Sequence, residues 1–234
     1  MANSYGPKGI VTDGLIFAVD AGNEQCWQYN TNTSGSCTSL TNSLEYTGSI
    51  FGSTSSSLGE AGSFSFTGTG APDVSQNIFI NYDFGIPEPV TFSFWMKPIA
   101  NRDQTILNSG PNFSALQDQR LEIHILSPSK LMQYVRNGEG GKYSSSTYDI
   151  GIWNYWVFAQ GAFQSSVNIY KNGVFDVNRT LSNASDSAQT EFSIGRGNFA
   201  SGNLNITCVS IYDRQLTAAE ILQNYNSQKG RFGL

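Results

Sequence analysis

An all-β sandwich of two antiparallel sheets, closed by one short C-terminal helix, is the fold this sequence predicts. Three observations carry it. Segments such as Ser63–Thr67, Val90–Pro98 and Val167–Val177 alternate with period two and are separated by Gly, Asn and Ser turns. Charged residues make up only 13%, while Phe, Tyr and Trp also make up 13%. The polarity therefore comes from Ser, Thr, Asn, Gln and Gly, which suit turns and solvated strand faces, and the aromatics demand burial. A single helical pattern occurs, in the last twenty residues of the 234. No period-level repeat and no linker divides the chain.

In chain order, residues 1–9 read as a polar arm and 10–234 as one domain. Leu15–Val19 is a short apolar strand ending in the turn chemistry of Asp20-Ala21-Gly22-Asn23. Residues 24–62, rich in Ser, Thr, Asn and Gly, read as a long polar loop region. Strands are expected at 63–67, 77–82, 90–98, 105–110, 120–126 and 130–135. In Val90–Pro98, parity puts Phe92 and Phe94 on one face and Thr91, Ser93 and Trp95 on the other. Asn137-Gly138 reads as a turn. Trp153–Gln160 is the most aromatic strand and reads as central. Asn172-Gly173 between alternating strands is the strongest short-range hairpin signal in the chain. Roughly a dozen strands result, the last ones at 191–195 and from 206 to 212.

The end of the chain is the most specific part. Thr217 and Glu220 have capping-box spacing, Leu216 and Ile221 sit at the staple positions, and Gly230 offers a stop. A buried strand followed by Tyr212 to Ile221 resembles the closing element of laminin-G-like, concanavalin-A-like jelly rolls. The run Lys229 to Leu234 is similar to the end of such domains in virion proteins of tailed, especially marine, bacteriophages. Gly14 to Asn23 and Val90 to Pro98 resemble the first strand and a strand that packs a Trp or Phe against the opposite sheet. The resemblance spans about Gly9 to Leu234 and is weakest over 24–62.

Several classes of function are disfavoured. Net charge is −5 and the pI about 4.8, so the surface repels phosphates and no Lys/Arg cluster offsets this. Nucleic acid is not an expected partner. No apolar stretch reaches membrane-spanning length, and the N-terminus has no signal-peptide hydrophobic region. Synthesis in a host cytoplasm is expected. Glucanases of this fold carry carboxylates at i, i+2 on one strand. Among the 18 Asp and Glu here, no two have that spacing. Glu122 has Arg120 and His124 as same-face neighbours and reads as part of a solvated face with an ion pair. One His excludes multi-His metal sites and disfavours a Ser-His-Asp triad. No catalytic residue is assigned.

Two kinds of binding site are expected. The fold binds carbohydrate in many members, and Trp27, Tyr29, Tyr143 and Tyr148 lie in polar, loop-like surroundings. They read either as sugar platforms or as rings pinning long loops. No cofactor is required. The resemblance implies calcium held by loop oxygens, for which Asp20, Asn23, Asp73, Asn81 and Asp83 are the candidates, although scattered Asp and Asn also serve as turn residues. Cys208 reads as a buried thiol, and Cys26 and Cys37 as two free thiols or a bridge. The resemblance implies a non-enzymatic virion structural protein on the particle surface, a capsid decoration protein partnered by other virion proteins of capsid or tail. The alternative is a glycan-binding receptor-recognition module of a tail fibre or tail tip, meeting host-surface glycans. A polysaccharide hydrolase comes last.

Overall fold

The computed structural model describes residues 9–26, 35–41, 47–51, 55–57, 61–68, 77–81, 89–109, 121–136, 140–162, 165–182, 191–195 and 202–234. The arm over residues 1–8 and the Asn137-Gly138 turn lie outside them.

Sixteen strands occur among the described residues. Eight form one sheet, called sheet A: β1 (Leu15–Val19), β4 (Ser55–Ser57), β5 (Ser63–Thr67), β7 (Val90–Pro98), β12 (Asn154–Gln160), β13 (Ser166–Lys171), β14 (Val174–Thr180) and β16 (Asn203–Tyr212). Eight form sheet B: β2 (Gly35–Thr38), β3 (Thr47–Phe51), β6 (Asn77–Asn81), β8 (Gln104–Ser109), β9 (Leu121–Leu126), β10 (Leu131–Val135), β11 (Lys142–Thr147) and β15 (Glu191–Ile194). Sheet A runs β14-β13-β12-β7-β16-β5-β4, with β1 also on β16, and sheet B runs β11-β10-β9-β8-β15-β6-β3-β2. Every pairing is antiparallel. This is the two-sheet jelly-roll sandwich the alternation predicts.

Two differences from the sequence reading stand out. The polar region 24–62 contains β2, β3 and β4. These small-residue strands lack an alternating apolar pattern and exist because β3 pairs with β6 and β4 with β5. Lys142–Thr147, also polar, is the edge strand β11.

Parity decides the core. Phe92, Phe94, Met96, Trp156, Phe158, Phe64, Phe66 and Ile206 of sheet A meet Ile106, Leu107, Leu121, Ile123, Ile125, Met132 and Tyr134 of sheet B. Phe92 and Phe94 are thus the residues of this strand that pack against the opposite sheet, as the resemblance implied for a Trp or Phe, and Trp95 turns the other way, as its parity requires. It joins a second apolar cluster on the outer face of sheet A, with Val11, Tyr155, Val157, Tyr170, Cys208, Tyr212, Leu216 and Ile221.

That cluster is roofed by α1 (Ala218–Gln228) and a 3-10 turn over Lys229–Phe232. Thr217 and Glu220 form the full capping box, and Leu216 and Ile221 are both buried in the cluster. Trp95 Nε1 donates to Gln228 Oε1 at 2.8 Å, and Phe232 stacks on Trp95 with centroids 4.0 Å apart. Asn224 closes a buried ring: Val11 N donates to its Oδ1 at 2.7 Å, its Nδ2 donates to Tyr212 Oη at 3.1 Å, and Tyr212 donates back to Val11 O at 3.1 Å. The left-handed stop is Gly233, with φ 73°, and not Gly230, because the 3-10 turn carries the chain one turn further. The β13–β14 hairpin turns on Asn172 (φ 52°) and Gly173 (φ 78°), the two positive φ values of a type I′ turn.

Candidate functional site

One outer face of a sandwich must stay open for a sheet to take a ligand. The outer face of sheet A is closed by the helix and C-terminal turn, so the candidate is the part of the outer face of sheet B that is exposed, at Tyr143. Its strands register two rows of side chains across that face. In the first, Thr105 pairs with His124, His124 with Gln133, and Gln133 with Tyr143. In the second, Ser193 pairs with Asn108, Asn108 with Glu122, and Glu122 with Val135. The first row crosses three strand spacings, about 14 Å.

The row runs from buried to exposed. Thr105 is fully buried and His124 is 1% exposed, whereas Tyr143 is 40% exposed. Thr105 Oγ1 lies 3.3 Å from His124 Nδ1, and His124 Nε2 lies 3.1 Å from Glu122 Oε2. The first contact can run either way according to the imidazole tautomer, and the second is an approach of imidazole to carboxylate at ion-pair distance. The sequence reading placed Glu122 and His124 together on an outer face, and they are together. It took that face to be solvated, and both are buried. Strand parity assigns a face but says nothing of what lies over it. Arg120 lies outside the described residues.

At the open end, Gln133 Nε2 donates to Tyr143 Oη at 3.3 Å. Gly141 makes room for this amide, since a Cβ there would lie 1.6 Å from Gln133 Nε2. Arg179 Nε donates to Tyr143 O at 2.7 Å and fixes the backbone beneath the ring. The result is an exposed aromatic face beside an oriented amide, the pairing that sugar hydroxyls and C–H faces suit.

The other expected site residues separate. Trp27, Tyr29, Asp73 and Asp83 lie outside the described residues, as does the side chain of Asn81. Tyr148 is fully buried. Its hydroxyl donates to Asn101 Oδ1 at 3.1 Å and its N–H to Lys130 O at 2.9 Å. It pins two loops together and has no open ring face for a sugar. Burial, with the Asp103 carboxylate, pushes its phenol up to about 12.

Asp20 and Asn23 do come together in one turn, but as turn residues. Asp20 Oδ1 accepts from Gly22 N at 2.9 Å and Thr207 Oγ1 at 3.0 Å, and its Oδ2 takes Arg231 Nη1 at 2.7 Å. A guanidinium thus supplies the positive charge where the calcium expectation placed a cation. Asn23 Oδ1 accepts from Gln25 N at 2.9 Å. Among the described residues no three of His, Cys, Asp and Glu converge as a metal site. Cys208 is a buried thiol, as expected, and burial first, then Asp20, pushes it up, away from thiolate chemistry. Cys26 is buried and its sulfur accepts from Asp20 N at 3.3 Å; the side chain of Cys37 lies outside the described residues. No helix among the described residues is long and apolar enough to cross a membrane.

Residues 74–222, well over half of the chain, match the laminin G-type family model described as the concanavalin A-like lectin/glucanases superfamily. The chain belongs to that superfamily. No curated protein matches the sequence. Among solved structures, it is similar to botulinum neurotoxin type C, whose uptake into cells depends on two ganglioside molecules, with TM-score 0.65, 16% identity, 92% of this chain covered and 51% of that one. It is similar to the binding domain of botulinum neurotoxin DC, solved with rat synaptotagmin II, with TM-score 0.67, 15% identity and coverages of 92% and 52%. It is also similar to the sialidase of Trypanosoma rangeli, with TM-score 0.65, 12% identity and coverages of 99% and 36%. The chain spans about half the length of the toxin chains. At these identities the likeness is one of fold.

Proposed function

We propose that the protein is a non-enzymatic glycan-recognition module displayed on a phage virion, taking its ligand on the outer face of sheet B at Tyr143 and Gln133. The observation that carries the reading is the asymmetry of the two outer faces. Sheet A is roofed by its own C-terminal helix, and sheet B ends in an exposed aromatic beside an oriented amide. Membership of a lectin and glucanase superfamily supports it. So does the likeness to a toxin that engages gangliosides. Binding without turnover is the reading for the chemistry: a retaining glycosidase needs two carboxylates about 5 Å apart, Glu122 is engaged by His124, and neither described row holds a second carboxylate.

The virion setting rests on the resemblance of Lys229 to Leu234 and the preceding helix to phage jelly rolls. A second reading, capsid decoration, is favoured by the self-contained core: both apolar clusters are filled by this chain alone, so docking on a particle needs only a modest surface. A glycan array tests the first reading. Wild-type protein should bind a subset of glycans, and Tyr143→Ala should weaken that binding roughly tenfold while leaving the melting temperature within a degree or two. Binding unaffected by Tyr143→Ala overturns the assignment of the face. Antibody labelling of intact particles separates head from tail.

A further inference from the structure

We infer that Arg102, in the loop joining β7 to β8, is an anion seat, and that the glycan this protein takes carries a carboxylate. The inference rests on the glycan-binding reading above and names its ligand class. The Nε and Nη2 atoms of Arg102 are buried, and neither has a hydrogen-bond partner. These two atoms form the edge of the guanidinium whose N–H bonds run parallel, the fork that matches a carboxylate bidentately. Leaving such an N–H edge buried without an acceptor is costly, so it is ordinarily paired. Burial without a compensating carboxylate also lowers the affinity of this guanidinium for its proton.

The polar groups of the loop are turned to other partners. Asp103 Oδ1 accepts from Ser127 N at 2.7 Å. Asn101 O accepts from Ser127 Oγ at 3.4 Å, and Asn101 Oδ1 from Tyr148 Oη at 3.1 Å. Ala100 O accepts from Gln104 Nε2 at 2.8 Å. The same bonds pin the loop that carries Arg102 onto the β9–β10 turn and onto Tyr148. The site stands at the end of sheet B where β8 enters with Thr105, the start of the row that leads to Gln133 and Tyr143. Exposed Ile99 precedes it in the same loop, and exposed Ile150 and Ile152 are brought to the start of that loop by the bond from Gly151 N to Pro98 O at 2.8 Å. A cation in a loop that also carries exposed apolar side chains suits an acidic sugar, with its carboxylate on the fork and its C–H face toward the isoleucines. Because the fork is covered in the free protein, the ligand must displace what covers it.

A functional cation of this kind separates stability from binding in a way that a structural one does not. The test uses the full chain, glucuronate as the carboxylate probe and glucose as its neutral counterpart. The Arg102 Nε–H signal is followed by NMR and assigned by its loss in Arg102→Met. Glucuronate should shift that signal and raise the melting temperature of the wild type, and glucose should do neither. Arg102→Met should weaken glucuronate binding roughly tenfold or more, and Arg102→Lys, which keeps the charge and loses the fork, should weaken it as well. Arg102→Met should melt at or above the wild-type temperature, because it removes a buried N–H edge that has no acceptor. An Arg102 signal unmoved by glucuronate, or an Arg102→Met protein that melts well below wild type, overturns the inference. If neutral and carboxylated glycans bind alike and depend only on Tyr143, the inference falls and the glycan-binding reading stands. If no glycan on the array binds but glucuronate still moves Arg102, the anion seat stands and the glycan-binding reading falls.

Discussion

Glu220 shows how much one side chain can tie together. Its carboxylate takes Arg214 Nη1 at 3.0 Å and Nη2 at 2.7 Å, and it accepts from Thr217 N at 2.8 Å. The Arg214 guanidinium first, and then Thr217, hold its carboxyl down from 4.5 to about 2. A folded-state value below the ordinary one means the stabilisation is fully present above about pH 5 and is lost as pH falls from 4.5 toward 2. Acid unfolding of wild type should therefore show a component in that window, and Arg214→Met should diminish it; an identical acid profile for the two proteins refutes the coupling. At neutral pH, Thr217→Ala should cost about 0.5–2 kcal/mol, read from denaturant midpoints.

The elements at risk are the sheet edges. β14 ends sheet A and β11 ends sheet B, and each presents unpaired backbone groups of the kind that invite aggregation. The chain resolves this by stitching the two edges together with side chains. Asp176 of β14 accepts from Ser145 N at 2.7 Å and Ser146 N at 2.9 Å, both on β11. Arg179 of β14 donates to Tyr143 O, and Lys171 of β13 donates to Thr147 O at 2.6 Å. Donors and acceptors of the β11 edge are thus both used without a ninth strand. Asp176→Ala should destabilise by about 1 kcal/mol and raise hydrogen exchange at the Ser145 and Ser146 amides while leaving β12 protected. Because these bonds also fix the backbone beneath Tyr143, the same variant should loosen the proposed sugar platform.

For the whole molecule, the governing fact is that a sheet with two apolar faces needs two covers. Sheet A has Phe92, Phe94 and Met96 on one side and Trp95, Tyr155, Val157 and Tyr212 on the other. Sheet B covers the first face, and α1 with the C-terminal turn covers the second. Removing residues 218–234 should leave a folded sandwich with that aromatic surface bare, seen as strong binding of an apolar fluorescent dye and as self-association on size exclusion. A truncated protein that stays monomeric and dark to the dye would refute the roofing role.

What could be read in the residues alone was what is local. Alternation in Val90–Pro98, the Asn172-Gly173 turn and the Thr217–Glu220 cap depend on neighbours two to four positions away, and the structure has all three. The strands β2, β3, β4 and β11 were not legible, because short polar runs become strands only through partners supplied by the ladder. Nor was it legible which part of an outer face stays open: parity puts Trp95, Glu122 and Tyr143 on outer faces alike, yet Trp95 and Glu122 are buried and Tyr143 is exposed. Tyr148 shows the same limit, since its loop-pinning contacts reach Asn101, far back in the chain. Arg214, Arg231 and Arg102 carried no pattern of their own; a guanidinium's role is defined by the acceptors that distant segments bring to it, or fail to bring. Periodicity and caps act over a few residues. The covering of a face and the pairing of a charge are properties of segments that meet only after the chain has folded.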